Sequence, residues 1–262
     1  MMSTVKRFML LLFLFALPIV VPVEAAAYNE DGRIHFEALF EVLDRDVTEE
    51  NTQFAGENFP ETTASAQSLR LLGKLSVRIV DPLEIYGLVG GSDLSIDDFG
   101  FDADFGGAYG GGARIVLFRE RNPRRPFQIF ADYRFLQFKV SDSVLFDPTI
   151  VDNSGNLVHL LPPSGESVKE KIRWTEHTLK IGVMGRDYAF EPYGGIRFSF
   201  VKGKDHVPTS VQTLDLDLKQ SDTFGIFLGT SYYLTPSDQA ALFIEGSLFD
   251  QYSLSGGIRV GF

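Results

Sequence analysis

Residues 69–94 contain two alternating apolar segments joined by a tight turn, and read LRLLGKLSVRIVDPLEIYGLVGGSDL. In the first segment every odd position from 69 to 79 is apolar or glycine, whereas the even positions include Arg70, Lys74 and Arg78. Alternation with a period of two places the two sets of side chains on opposite faces of a β-strand. Asp81-Pro82 is typical of a turn, so this stretch predicts a β-hairpin.

The same period recurs along the chain and predicts ten strands. They are expected at residues 34–42, 69–79, 83–94, 103–118, 127–140, 171–184, 192–201, 224–234, 242–248 and 252–262. In the fourth strand, Asp104 is predicted on the polar face together with Arg114. In the sixth strand the apolar face changes parity between Trp174 and Leu179, which predicts a β-bulge.

The connections between these strands alternate in length. Long polar segments follow the first, fifth and seventh strands, the last of them reaching Ser221, and short turns follow the second, fourth, sixth and eighth. Strands of about ten residues, with long loops at one end and short turns at the other, are typical of outer-membrane barrels. A soluble barrel or sandwich is the competing interpretation, but its strands usually have about 5–6 residues.

Lipid offers no hydrogen bonds to the edge of a sheet, so a membrane sheet must close on itself. We therefore predict an all-β fold, a transmembrane antiparallel up-and-down β-barrel of about ten strands. Eight and twelve strands are the alternatives, because bacterial barrels use even numbers.

The first 27 residues have the features of a secretory signal peptide. Two basic residues precede an apolar run from Phe8 to Val21, and cleavage is expected after Ala25 or after Ala27. The run is short for a membrane-spanning helix of about 20 residues. The sequence therefore predicts an exported chain, with a signal peptide at 1–27 that is removed and an integral outer-membrane barrel domain at 28–262.

The composition excludes several classes of function. The chain has 262 residues, 24 basic and 35 acidic residues, a net charge of −11, and no cysteine. Without cysteine there is no disulfide scaffold, no thiolate metal site and no cysteine nucleophile. The acidic balance argues against binding nucleic acid through its phosphates. The acidic predicted loops do not have the spacing of a calcium-binding loop, so we expect no metal and no cofactor.

The last strand carries a second sorting signal. Ser255, Gly257, Val260 and Phe262 place a polar residue, a glycine, a hydrophobic residue and a terminal aromatic at fixed spacing. This pattern resembles the C-terminal assembly signal of Gram-negative outer-membrane β-barrel proteins. The resemblance covers one strand and indicates no subfamily. It implies periplasmic chaperones and the β-barrel assembly machinery as partners during biogenesis, and outer-membrane lipid and lipopolysaccharide as the final surroundings.

Charged residues on the predicted lumen face form a candidate network. Counting back from the turns places Glu84 opposite Arg114 and Arg114 opposite Asp132, provided that no bulge intervenes. Opposite charges in such cross-strand positions attract each other. The same face carries two further expected pairs, Glu37 with Lys74 and Glu41 with Arg70. These pairs either fill a narrow lumen or gate a pore through it.

Two short polar motifs raise an enzymatic alternative. Asp97-Asp98 falls in the second predicted loop and Asp205-His206 in the fourth. Ten-stranded proteases of the omptin family place an Asp pair and an Asp–His pair at the outer rim, where the His acts as a base toward water. The similarity is one of layout, since one residue separates the members of each pair in that family. A lipid A-modifying hydrolase would need a Ser–His pair, and His177 near Thr175 is the nearest approach to one.

The expected function is that of an integral outer-membrane barrel, either structural or a narrow small-solute channel with a charged lumen, and without catalysis. An outer-membrane hydrolase with its site at the extracellular rim is the alternative. An enzyme needs a His within hydrogen-bond reach of a carboxylate or hydroxyl in an open cleft, whereas a pore needs a continuous lumen.

Deleting Phe262 tests the assembly signal. Without the terminal aromatic we expect less folded, heat-modifiable protein in isolated outer membranes, because the last strand is the one that the assembly machinery would recognise. A variant in which an exposed side chain of another strand is shortened to alanine serves as the control. Undiminished assembly of the Phe262 deletion would contradict the prediction.

Overall fold

The computed structural model describes residues 34–50, 53–54, 57–58, 61–97, 100–120, 126–146, 149–151, 157–159, 166–208, 213–235 and 239–262. The predicted signal peptide with its cleavage sites, and Asp98, lie outside the described residues. Most of the described residues lie in antiparallel strands. Among them, no helix has the length and apolar character that crossing a membrane requires.

The strands are numbered in chain order. They are β1 (Ile34–Glu50), β2 (Gln53–Phe54), β3 (Glu57–Asn58), β4 (Thr62–Val80), β5 (Leu83–Ile96), β6 (Phe101–Arg119), β7 (Phe127–Phe146), β8 (Thr149–Val151), β9 (Leu157–His159), β10 (Glu166–Gly185), β11 (Phe190–Pro208), β12 (Thr213–Gln220), β13 (Phe224–Tyr233), β14 (Ala240–Leu248) and β15 (Tyr252–Gly261). Two small hairpins, β2–β3 and β8–β9, are separate sheets, and the other strands form one sheet.

The main sheet closes on itself. β1 pairs with β4 on one side and with β15 on the other, and the ring continues in the order β4, β5, β6, β7, β10, β11, β13, β14, β15. In the described part of the chain, ten strands therefore form a closed antiparallel barrel, as predicted. Closure pairs the backbone groups that an open sheet would present to lipid at its edges.

An additional strand, β12, divides the barrel into two levels. Near one end of the barrel β12 lies between β1 and β11, with Gln220 opposite Val47 and Lys219 opposite Lys202. Below that level β1 pairs with β15 and β11 pairs with β13. We call the lower, ten-stranded level the membrane barrel. The upper level, which we call the extension, is built from β1, β4, β5, β6, β7, β10, β11 and β12.

The two levels bury opposite kinds of side chain. In the membrane barrel, large apolar residues such as Leu71, Leu75 and Val89 point outward and are exposed. In the extension the interior is an apolar core that includes Val47, Ala64, Ala66, Ile96, Phe101, Phe138, Ile172, Trp174, Val201 and Leu218. An outward apolar band suits lipid, whereas an inward apolar core suits a surface that faces water. The extension therefore stands outside the membrane, at the end where long connections identify the extracellular side.

β10 has no bulge between Trp174 and Leu179, so that prediction is wrong. The strand pairs residue by residue with β7 and β11 through this region. Trp174, Glu176 and Thr178 all point inward and are buried. In the sequence, the apolar positions of β10 change from even to odd numbers between Trp174 and Leu179. They do so because the outer face of this regular strand passes from water to lipid. Its apolar side chains therefore point inward in the extension and outward in the membrane barrel.

A register shift occurs in β6 instead. Its pairing with β5 changes between Ser92 and Leu94, where β6 contains one extra residue. Asp104 is consequently exposed on the outer surface of the extension, and does not share the lumen face with Arg114 as predicted.

The ten predicted strands are present, and several continue beyond their predicted ends into the extension. β12 was not predicted, since it falls inside the polar segment after the seventh predicted strand. The polar loop was predicted to begin after Val201, where the seventh predicted strand ends. This start is too early, because β11 continues to Pro208.

Trp174 is the single tryptophan of the chain and is 1% exposed in the extension core. We expect its fluorescence to be blue-shifted in the folded protein and to resist quenching both by acrylamide in water and by brominated lipid, because its ring contacts neither phase. Unfolded protein in urea is the control for accessibility. Strong quenching by brominated lipid would place this level of the barrel inside the bilayer and contradict the assignment.

Candidate functional site

A buried carboxylate lies at the centre of the lumen. Glu176 is on the inner face of β10 and is fully buried. Its Oε2 atom accepts hydrogen bonds from Nη2 of Arg45 at 3.0 Å and Nη2 of Arg70 at 2.9 Å. Its Oε1 atom accepts one from Nη2 of Arg134 at 3.0 Å, and Nη2 of Arg197 lies 3.6 Å away. Four guanidinium groups from four different strands therefore converge on one carboxylate.

Two further carboxylates complete the pairing of these arginines. Glu41 Oε2 is 3.1 Å from Arg70 Nη1, and Glu41 Oε1 is 3.4 Å from Arg134 Nη2. Asp250 Oδ2 is 2.9 Å from Arg197 Nε. Burying a charge is costly unless it is paired and hydrogen-bonded, and here every charge has an opposite neighbour. We call Glu176, Glu41, Asp250 and the four arginines the Glu176 cluster.

The turn between β14 and β15 joins this cluster. Asp250 and Gln251 are buried although they lie in a turn. Gln251 Oε1 accepts hydrogen bonds from Arg45 and, at 2.9 Å, from Nη2 of Arg197. Gln220 Nε2, at the end of β12, donates to the backbone oxygen of Asp250 at 2.8 Å. The β14–β15 turn therefore lies at the level where the ten strands of the membrane barrel give way to the eight strands of the extension.

A second network lies toward the short turns. Glu37 Oε1 accepts a hydrogen bond from Nε of Arg259 at 2.7 Å and lies 3.4 Å from Nζ of Lys74. Lys74 Nζ is also 3.9 Å from Glu84 Oε1. We call these residues, with Arg114 and Asp132, the lower network.

Arg114 on β6 and Asp132 on β7 form a further ion pair of the lower network. Arg114 Nε donates to Asp132 Oδ2 at 2.8 Å, and the Tyr86 hydroxyl donates to Oδ1 at 2.8 Å. The Arg114 side chain is 26% exposed, whereas those of Arg45 and Glu176 are 0% exposed. The lower network is thus partly accessible to water, whereas in the Glu176 cluster only Arg134, at 16%, has a side chain that is more than 5% exposed.

All seven sequence-predicted lumen residues lie on the inner face. The register places Glu37 opposite Lys74, Glu41 opposite Arg70, Glu84 opposite Arg114, and Arg114 opposite Asp132. The shift between β6 and β7 falls between Val116 and Phe118, closer to the turn, and leaves the last pair in register. Glu84 makes its ion pair with Lys74.

Sequence reasoning missed the central residues. Glu176, Arg45, Arg134, Arg197 and Arg259 were not included in the predicted network. The signal that could have found Glu176 is strict alternation through β10, which puts it on the same face as Trp174 and Thr178.

The residues of the hydrolase alternative are not brought together. Asp205 and His206 lie within β11 and not in a loop, so their side chains point to opposite faces. Asp205 is buried inside the extension, where Glu170 is also buried. Burial and the nearby Glu170 charge raise the pKa of Asp205 to about 9, and burial also raises the pKa of Glu170. His206 is exposed, with its Nδ1 atom 2.8 Å from Asp215 Oδ1.

The other candidates lie elsewhere. Asp97 is exposed just beyond β5. His177 and Thr175 are on the outer face of β10, and His177 Nδ1 is 2.7 Å from the Tyr133 hydroxyl on β7. This His therefore faces the lipid-side surface and not a cleft at the extracellular rim.

Comparison with known proteins gives the fold alone. No protein-family model matches the chain, and no curated protein matches it. Among solved structures, the outer membrane protease OmpT from Escherichia coli is similar, with 13% identity, coverage of 91% of this chain and 99% of that one, and a TM-score of 0.54. The solid-state NMR structure of outer membrane protein AlkL in lipid bilayers covers 94% and 97% of the two chains at 10% identity, with a TM-score of 0.43. The chain thus has the fold of an outer-membrane β-barrel with a charged lumen.

Replacing Glu176 by Gln tests the central role of its charge. We expect a loss of about 3–5 kcal/mol in the free energy of unfolding, because four guanidinium groups would keep their charge without the shared carboxylate. Urea unfolding of the refolded protein in lipid vesicles measures it. Glu84→Gln is the control, with a loss below about 1 kcal/mol, since its pair is longer and partly exposed. Equal losses in both variants would contradict the assignment.

Proposed function

We propose that the protein is a closed outer-membrane barrel that anchors the extension and its connections at the cell surface, and that it does not conduct solutes at rest. The observation that carries this proposal is the Glu176 cluster, which fills the lumen with side chains that are paired across the barrel. An ion crossing this level would have to separate several buried pairs, each of which costs free energy to break.

The extension closes the path a second time. Above the Glu176 cluster, the interior contains packed apolar side chains such as Phe138, Ile172 and Trp174, which are at most 1% exposed. Apolar constrictions exclude water and therefore oppose the passage of hydrated ions. A polar level and an apolar level in series support a structural function better than a permanently open pore.

A narrow small-solute channel is the second candidate, and the hydration of the lower network favours it. Side chains of Arg114, Arg259 and Glu84 are 26%, 22% and 19% exposed, so water enters the lumen from the short-turn end. A channel would require the Glu176 cluster and the core above it to move apart.

The proposal includes the route to the membrane. The chain would be exported with removal of its signal peptide after Ala25 or Ala27, and would then be assembled with the help of periplasmic chaperones and the β-barrel assembly machinery. The position of β15, which pairs with both β14 and β1, supports a role of the last strand in closing the barrel.

Conductance in planar bilayers distinguishes the two candidates. For the closed barrel we expect background conductance from both the wild type and Arg114→Ala. Arg114→Ala should also lower the free energy of unfolding, by less than about 3–5 kcal/mol because water screens the Arg114–Asp132 pair. Arg119→Ala, at the exposed end of the same strand, is the matched control and should cost less than about 1 kcal/mol. Raised, cation-preferring conductance in Arg114→Ala would overturn the closed-barrel proposal in favour of the channel.

A further inference from the structure

The strand register orders the outer surface of β7, β10 and β11 in rows of directly opposite residues. Phe135, His177 and Phe200 form one row, and Gln137, Thr175 and Lys202 form the next. The third row consists of Lys139, Arg173 and Lys204. From the membrane barrel toward the extension, this surface therefore changes from aromatic to polar to cationic.

The third row, which we call the cationic row, places three positive side chains side by side. Lys139, Arg173 and Lys204 are all exposed. Directly opposite residues on neighbouring strands have Cβ atoms about 4.5–5.5 Å apart, and like charges at that distance repel each other. Lys202 and Lys219 form a further cationic pair just below the row.

The cationic row has little acidic compensation. Within the described residues, no ion pair or hydrogen bond joins the side chain of Lys139, Arg173 or Lys204 to a carboxylate. Asp217 lies opposite Lys204 at the end of the row, and Asp215 is engaged with His206. The chain as a whole carries a net charge of −11, so this concentration of positive charge is local.

The distance of the cationic row from the row of Phe135, His177 and Phe200 places its charges at the level of lipid headgroups. Aromatic side chains are enriched at the membrane–water interface. The cationic row is four residues farther along each strand, which is roughly 13 Å along the strand and less along the membrane normal because barrel strands are tilted. Lys and Arg side chains are long and can reach back toward the interface.

We propose that the cationic row binds the phosphate groups of a phosphorylated glycolipid in the outer leaflet, of the lipid A type. The guanidinium of Arg173 presents a planar fork that suits bidentate contact with phosphate, and the flanking lysines add positive charge on both sides. The acyl chains would lie against the aromatic and apolar rows below. An anion at this position relieves the repulsion within the row. This inference does not depend on whether the lumen conducts.

The charges on the rest of the extension support lipid binding on the β7–β10–β11 side. Around β1, β5 and β6 the exposed outer residues of the extension include Asp46, Asp97, Asp102 and Asp104. A phosphorylated lipid would be repelled there and attracted to the β7–β10–β11 side. The outer surface therefore has one sector suited to an anionic headgroup.

The test is native mass spectrometry of the purified, detergent-solubilised protein titrated with diphosphoryl lipid A. The variant Lys139→Gln/Arg173→Gln/Lys204→Gln should bind at least about tenfold more weakly than the wild type, since three charge-assisted contacts are lost. Arg173→Gln alone should weaken binding measurably. Lys169→Gln is its matched control, because Lys169 is exposed on the same face of β10 but four residues farther from the membrane.

Additional arms identify the source of the phosphate. Dephosphorylated lipid A should bind weakly to the wild type, and a large excess of inorganic phosphate should not displace diphosphoryl lipid A. Heat-modifiable migration on gels verifies that each variant is folded, which we expect because the replaced side chains are exposed. Unchanged binding in the triple variant, an equal effect of Lys169→Gln and Arg173→Gln, equal binding of dephosphorylated lipid, or full displacement by inorganic phosphate would each overturn the proposal.

Discussion

The pairing of Glu176 with four arginines is the interaction on which the arrangement of the lumen depends. A fully buried carboxylate at this position is stable only if cations surround it, and each cation in turn needs its own acid or amide. These requirements connect β1, β4 and β7 to β10 across the barrel through hydrogen bonds of about 3 Å, and β11 to β10 through an ion pair of 3.6 Å. They also fix the β14–β15 turn, because Gln251 accepts hydrogen bonds from Arg45 and Arg197 and Asp250 forms an ion pair with Arg197. The cluster thus lies where ten strands give way to eight.

The change of surroundings along each strand explains why the cluster lies at that level. Below it, lipid covers the outside and apolar side chains must point outward, which leaves the lumen to polar groups. Above it, water covers the outside, and β10 buries Ile172 and Trp174 in a core like that of a soluble barrel. The Glu176 cluster lies directly beneath this core, shielded from the hydrated lower lumen by its own ion pairs. The change of interior follows from this inversion, since ion pairs occupy the lumen at the level of Glu176 and apolar side chains occupy the extension above it.

Much of the fold could be predicted from the sequence, because alternation in the membrane barrel is strong. Glu84, Arg114 and Asp132 were placed in their observed register, although the condition that no bulge intervenes is not met, since register shifts lie between Ser92 and Leu94 and between Val116 and Phe118. Glu176 was missed because an apolar Trp174 two residues away on the same face suggested that the strand had shifted. Single-sequence alternation reports polarity relative to the surroundings, and it cannot tell an inward apolar residue in the extension from an outward one in lipid. β12 was missed although leucines at 214, 216 and 218 alternate with polar residues, because the whole stretch up to Ser221 was assigned to a polar loop.

The position of the filled lumen also shows where this barrel can meet other molecules. Because every charge of the Glu176 cluster has an opposite neighbour inside the barrel, these charges are not available to a ligand without unfolding part of the lumen. The exposed charges of the extension are arranged differently, with cations directly opposite cations on β7, β10 and β11. Like charges directly opposite each other destabilise a sheet, and the proposed contact with an external anion would offset this repulsion. The charges inside the barrel are thus paired with one another, whereas the cations on the outer surface beside the membrane are exposed.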